Sequence, residues 1–475
     1  MIFNSVEFLI FLPIVFSLYW FVFKKNLRLQ NLFVVVASYF FYGWWDWRFL
    51  FLIAFTSLCS WESGLLIKRH QDNGSPKTAL AINVANIVIN LLILGIFKYY
   101  NFFIDSFFDI FPTLRNDQLL IKVILPVGIS FYTFQALSYT IDVYRNKIEP
   151  TKDIIAFFAF VSFFPQLVAG PIERATNLLP QFQQKRTFDY ATATDGCRQM
   201  LWGFFKKMVV ADNCAVFVDK VWEDIPAFGG STLLVAAILF SFQIYCDFSG
   251  YSDIAIGTAK LFGIKLKRNF NVPYFSRDIA EFWRRWHISL TTWFRDYIYI
   301  PLGGSRVSKA KVIRNTFIIF LVSGFWHGAN WTYIVWGAFH AFLFLPLILR
   351  GKNRKNIDTV ASGRTLPTIK EILQISFTFI LAALGWIIFR SDNITQTIQI
   401  FSGIFSKSLF QIPALSKSFI FVFLMLVVEW INREKEHPFQ LSIKSKLLRY
   451  AIYYAIMLTI VLFSGNQETF IYFQF

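Results

Sequence analysis

His327 lies in Phe325-Trp326-His327-Gly328-Ala329-Asn330, inside an apolar stretch over 316–349 that holds no Asp, Glu, Lys or Arg. An imidazole at membrane depth is expensive, and ionisable groups kept there generally serve a function. A second histidine, His287, has a different setting, the basic aromatic run Phe282-Trp283-Arg284-Arg285-Trp286-His287-Ile288-Ser289-Leu290. Desolvation in a partly dry cavity keeps a histidine neutral, fit to act as a general base or as a nucleophile toward an acyl group. Hydroxyls or backbone amides nearby would then stabilise the oxyanion. No Gly-x-Ser-x-Gly elbow, Walker loop or His-Glu-x-x-His zinc helix is present, so the chemistry must rest on histidine and a few polar neighbours.

Each of these residues also has a plainer reading. A carbonyl freed by a helix break would give His327 a hydrogen-bond partner. His287, among arginines, suits headgroup contact at the interface, His340 suits packing within its apolar helix, and His70 and His437 read as solvated loop residues. Arg284, Arg285 and Arg295 commonly anchor lipid, although an anionic donor such as coenzyme A needs cations of this kind. Asp247 and Asp253 would satisfy a broken helix or balance nearby cations, and Glu62 and Glu429, near the ends of spans, read as structural.

The elements that must position these groups follow from composition. Of 475 residues, 56% are hydrophobic and only 16% charged, which excludes an ordinary soluble domain. Apolar segments long enough to cross about 30 Å of hydrocarbon recur throughout, and runs such as 91–97 do not alternate as barrel strands would. The chain therefore reads as an all-α polytopic membrane protein, a single integral-membrane domain over 1–475. The 46 Lys and Arg against 29 Asp and Glu give a net charge of +17. These cations sit in short loops between spans, which points to positive-inside topology and anionic lipid rather than nucleic acid. Cys59, Cys197, Cys214 and Cys246 have neither disulfide nor metal-ligand spacing, so no metal site is expected.

Charge asymmetry threads the spans. The segment 8–23, preceded by Glu7 and followed by Lys24, Lys25 and Arg28, reads as an uncleaved first span kinked at Pro13, with an external amino end. Spans over 32–42 and 49–67 follow, joined by a tryptophan-rich external hairpin; then comes 79–97, an external segment over 98–118, and a span over 125–143. Pro165, Gly170 and Pro171 interrupt 151–170, as in a broken or re-entrant helix. The mixed segment 195–220 reads as a helix along the membrane surface. A span over 233–245 should stop at the polar residues Cys246 to Asp253. The basic aromatic segment 260–314 must line a cavity or lie at the cytoplasmic interface. The stretch 316–349 would reach about 50 Å as one helix and is flanked by cations on both sides, so it must cross an even number of times, breaking near Gly328-Ala329-Asn330. Spans over 372–389, 419–431 and 447–463 complete the chain, and 351–367 is the best linker candidate.

The Phe282 to Leu290 run, with Trp293-Phe294-Arg295-Asp296-Tyr297, Ile300-Pro301-Leu302-Gly303-Gly304 and Trp326-His327-Gly328-Ala329, closely resembles the bacterial branch of the membrane-bound O-acyltransferases, of the alginate or peptidoglycan O-acetyltransferase membrane-subunit type. The opening 8–13, the stretches 165–174 and 243–253, and the ending 470–475 agree, so the resemblance covers essentially the whole chain. It implies a ring of about 11 transmembrane helices with re-entrant and interfacial helices around a central tunnel. It makes His327 the essential histidine and His287 the second signature histidine. Trp283, Arg284, Arg285, Arg295, Asp296, Asp247, Trp326 and Asn330 become candidates for binding substrate. The implied reaction moves an acetyl group from a cytoplasmic thioester, acetyl-coenzyme A, across the bacterial cytoplasmic (inner) membrane to hydroxyls of an extracytoplasmic polysaccharide, through an SGNH-type esterase-like partner. No bound cofactor is expected. His327 acts either as general base or as a transient acyl carrier. Two alternatives stand beside this: D-alanyl transfer to teichoic acid within the same family, and a transporter or flippase with an intramembrane proton relay.

Overall fold

The computed structural model describes residues 1–465 and 470–471, and among the described residues every regular element is a helix. Of the ending 470–475, only Phe470 and Ile471 fall within that range. The chain falls into two compact units, one of residues 1–197 and 255–267, the other of residues 198–254 and 268–475.

In the first unit, Leu27–Gly43, Phe49–Asp72, Pro76–Leu94 and Ile129–Tyr144 form the main helices. Asn26 caps the first by accepting from the Arg28 and Leu29 amides, and Pro76 opens the third. Lipid offers apolar helices no reason to separate from it, so polar pairs and close packing hold such helices together. Here Ser60 donates to Asn86 Oδ1 at 3.2 Å, and Asn86 Nδ2 donates to Thr140 Oγ1 at 3.0 Å, joining three helices. The interruption expected in 151–170 is present as the short helices Ile154–Ser162 and Phe164–Leu167. The segment over 98–118, expected to be external, is helical as far as Ile110, continuing from Pro76–Leu94 through a π-helical turn over Gly95–Tyr99. Wide turns of this kind absorb an extra residue without ending the helix.

The second unit departs from expectation at its centre. Gly230–Leu261 is one continuous helix of 32 residues, with no stop at Cys246 to Asp253. Asp247, Ser249, Ser252 and Asp253 each find a partner in place. Gly203 and Gly250 let two helices touch, since a Cβ on either would lie 2.7 or 2.8 Å from the other's carbonyl oxygen. Beside this crossing, the π-helix Phe205–Ala211 turns two consecutive lysines inward. Lys206 Nζ pairs with Asp253 at 2.6 Å and Ser249 at 2.9 Å; Lys207 Nζ pairs with Asp212 at 2.7 Å and Asp247 at 2.8 Å. The segment 195–220 is therefore not a surface helix. Lys206 and Lys207 are buried because four polar partners replace their hydration.

The expected hairpin over 316–349 is realised as Lys309–His327 and Trp331–Leu349, broken at Gly328 to Asn330. The 351–367 segment is a docked loop rather than a linker: Arg284 donates to the Asn353 and Asn356 carbonyls at 2.8 and 2.6 Å, and Arg277 and Arg285 both donate to the Asp358 carbonyl at 2.9 Å. His437, read as solvated, is buried. Among the described residues, six helices are long and apolar enough to cross a membrane, with shorter apolar helices at Val6–Val22 and Ser418–Ile431, which makes this a multi-pass membrane protein. Fewer than 11 helices meet that test, since inner ones such as Lys309–His327 carry basic residues and others, such as Ile129–Tyr144, are short and shielded by neighbours.

Candidate active site

His327 ends its helix, and Gly328 turns the chain away in extended conformation. Glycines make the turn tight: a Cβ at Gly324 would sit 2.2 Å from the Tyr333 carbonyl oxygen, and one at Gly337 2.4 Å from that of Phe320. Asn330 then starts the return helix by accepting from the Thr332 amide at 3.0 Å, while its Nδ2 donates to the Asp392 carbonyl at 2.7 Å. The histidine ring, only 4% exposed, is enclosed by Trp326, Trp336 and Phe389, with centroids 5.0, 5.1 and 5.3 Å away and near-perpendicular planes. This edge-to-face setting fixes the imidazole in a largely apolar wall.

His287 stands between Ile279–Arg285 and Ile288–Phe294, two short helices. Its backbone is left-handed, with φ of 42° and ψ of 55°, a conformation that costs a side-chain-bearing residue about 1–2 kcal/mol. Two backbone hydrogen bonds hold it there, Ile288 N to Asn269 O at 2.8 Å and Asn271 N to Arg285 O at 2.9 Å. Its ring packs on Phe248 and Phe270 and lies 6.0 Å from Trp326. Burial pushes its pKa down from 6.5 to about 3, so it is neutral at physiological pH. Trp326 therefore stands within 6.0 Å of both imidazoles, one on each of two chain segments.

The remaining predicted residues divide. Trp283 donates from Nε1 to His340 Nδ1 at 3.3 Å, which gives His340 the packing role read from its helix. Arg285 is held by Glu281 at 2.8 Å, and Arg284 by the docked loop. Asp247 accepts from Lys207 and from the Ile471 amide at 2.7 Å. Arg295, its side chain 56% exposed, is paired with Asp296 at 2.6 Å. Among the eight candidates for binding substrate, Trp326 has ring contacts with both histidines. Sequence reasoning missed Asn269, fully buried beside His287; nothing in Lys267-Arg268-Asn269-Phe270 distinguishes it from a loop asparagine.

Two buried histidines of this kind, His327 at a helix break among aromatic rings and His287 on a left-handed residue between short helices, suit acyl transfer by general-base or nucleophilic chemistry. Residues 148–386 match the family model described as MBOAT, membrane-bound O-acyltransferase family. The chain belongs to the membrane-bound O-acyltransferase family. It is an acyltransferase by that membership, and the family's chemistry requires an acyl donor. It is 40% identical to the "Probable alginate O-acetylase" of Pseudomonas aeruginosa, over 88% of this chain and 77% of that one. It is 32% identical to the peptidoglycan O-acetyltransferase of Helicobacter pylori, over 100% and 98%. A teichoic acid D-alanyltransferase of Streptococcus thermophilus is 32% identical over 58% of this chain and 70% of that one. The matched family region contains both histidines, the glycine-tightened hairpin and the docked loop.

Proposed function

We propose that this chain takes an acetyl group from acetyl-coenzyme A on the cytoplasmic side of the bacterial cytoplasmic membrane. It passes the group through the protein to an external acceptor hydroxyl, for O-acetylation of an extracytoplasmic polysaccharide through an SGNH-type esterase-like partner. One observation carries the reading: His327, at the break of a membrane hairpin, shares the Trp326 ring with His287. Acetyl rather than D-alanyl transfer is supported by relatives that match over nearly the whole chain, against 58% for the D-alanyltransferase.

In the proposed step the acceptor oxygen bonds to the acyl carbon while its proton passes to neutral His327. The carbon–sulfur bond breaks, and the coenzyme A thiolate leaves and takes up the proton held by the imidazolium. His287 is the second histidine of the path, and Arg295, exposed beside Asp296, is a cation proposed to meet the anionic donor. In this reading the amino terminus is external, supported by the cations at Lys24, Lys25 and Arg28 that follow the first span.

Inverted membrane vesicles supplied with radiolabelled acetyl-coenzyme A test this. Alkali-labile label should appear on lumenal acceptor in proportion to the amount of the chain, and vesicles carrying His327→Ala should transfer at least about 100-fold more slowly. Equal transfer by vesicles lacking the chain would overturn the proposal, as would label supplied only by a D-alanyl thioester.

A further inference from the structure

Asn269 sits outside the motifs that carry the histidines, yet its side chain is spent almost wholly on one of them. Its Oδ1 lies 3.1 Å from His287 Nδ1 and also accepts from the Ser289 hydroxyl at 2.9 Å and the Ser289 amide at 3.3 Å. Its Nδ2 donates to Ser252 Oγ at 3.2 Å, on the Gly230–Leu261 helix. The amide orientation follows from this set. The Ser289 backbone N–H can only donate, so the atom it meets is the carbonyl oxygen. A carbonyl oxygen facing His287 Nδ1 requires a proton on that nitrogen. The lone pair of the neutral ring is then on Nε2.

We propose that Asn269 is a positioning residue for the acyl transfer: it holds His287 as the Nδ1–H tautomer, with Nε2 as the basic nitrogen offered to the reacting groups. This rests on the reading of the histidine pair as the transfer site. The left-handed backbone at His287 supports it, because Asn269 holds the strained turn twice, its carbonyl accepting from the Ile288 amide and its side chain meeting His287 Nδ1. A partner chosen only for packing would need neither an acceptor at Nδ1 nor three donors on one oxygen. Partners that orient a metal-bound imidazole through its far nitrogen contribute about 10–100-fold to function, and the same order is expected for a metal-free imidazole held in this way.

The test uses membrane vesicles containing the full chain and acetyl-coenzyme A as donor, with the amount of protein fixed by immunoblot. Asn269→Ala should lower kcat by about 10–100-fold and leave KM for the donor within about twofold. Asn269→Asp is isosteric and keeps an acceptor at Nδ1, with Ser252 turning its hydroxyl to donate. It should recover much of the turnover at high pH. Its negative charge favours the protonated ring, so the acid limb of the pH–rate profile should move up by about 1–3 units. This variant keeps the test when the alanine variant fails to accumulate. Wild-type kcat in Asn269→Ala, or an unshifted acid limb in Asn269→Asp, would overturn the proposal. If His287→Ala and His327→Ala also transfer normally, the reading of the site itself fails; if they are inactive while the Asn269 variants behave as wild type, only the present inference does.

Discussion

His287 ties local strain to charge. A buried histidine whose folded pKa is about 3, against about 6.5 unfolded, binds its proton only in the unfolded chain between those values. Stability is therefore highest above about pH 6.5 and falls as the pH drops from there toward 3. Thermal unfolding in detergent should show a midpoint that declines below pH 6.5, with a shallower decline in His287→Gln; identical slopes would contradict the buried neutral ring. The hairpin offers a steric counterpart. Because the Tyr333 backbone oxygen stands 2.2 Å from where a Cβ would be, Gly324→Ala should destabilise by about 1–3 kcal/mol and leave less protein in the membrane. An alanine variant as stable as wild type would show that the two helices can part at no cost.

At the scale of elements, the hairpin over 316–349 was legible because its length exceeds one crossing and its flanking cations demand an even number. The break falls at the residues expected for it. The inner helix over Gly230–Leu261 was not legible. Asp247 and Asp253 look like helix-ending polar residues when read singly, and their partners, Lys206 and Lys207, lie far back in the chain. Consecutive lysines also imply a surface helix unless a π-helical turn aims both inward, and such a turn leaves no mark in composition. The same blindness hid Asn269. The ion pairs make a direct prediction. Lys207→Met leaves two buried carboxylates without their cation and should cost about 3–5 kcal/mol. Adding Asp247→Asn should return part of that loss, as read by thermal shift in detergent. Full additivity of the two changes would show that the pair does not interact.

For the whole molecule, physics alone left open which of several intramembrane polar groups do chemistry, and the family resemblance supplied the proposal that His327 and His287 do. The arginines show why: Arg284 and Arg285 read as lipid anchors or as candidates for meeting an anionic donor, and their hydrogen bonds to the 353–358 loop are a third use that residue type does not reveal. Topology is the molecule-wide expectation. With exposed native Cys197 replaced, a cysteine at Lys25 should react with a membrane-impermeant maleimide only after permeabilisation, and one at Trp45 should react in intact cells. The reverse pattern would invert the direction of transfer. The central claim is that His327 performs the transfer, and the most direct measurement is the ester-linked acetate on surface glycan in cells whose only copy is His327→Ala. At wild-type abundance in the membrane, the variant should leave that acetate at the level of a deletion strain. Acetate at the wild-type level would contradict the account.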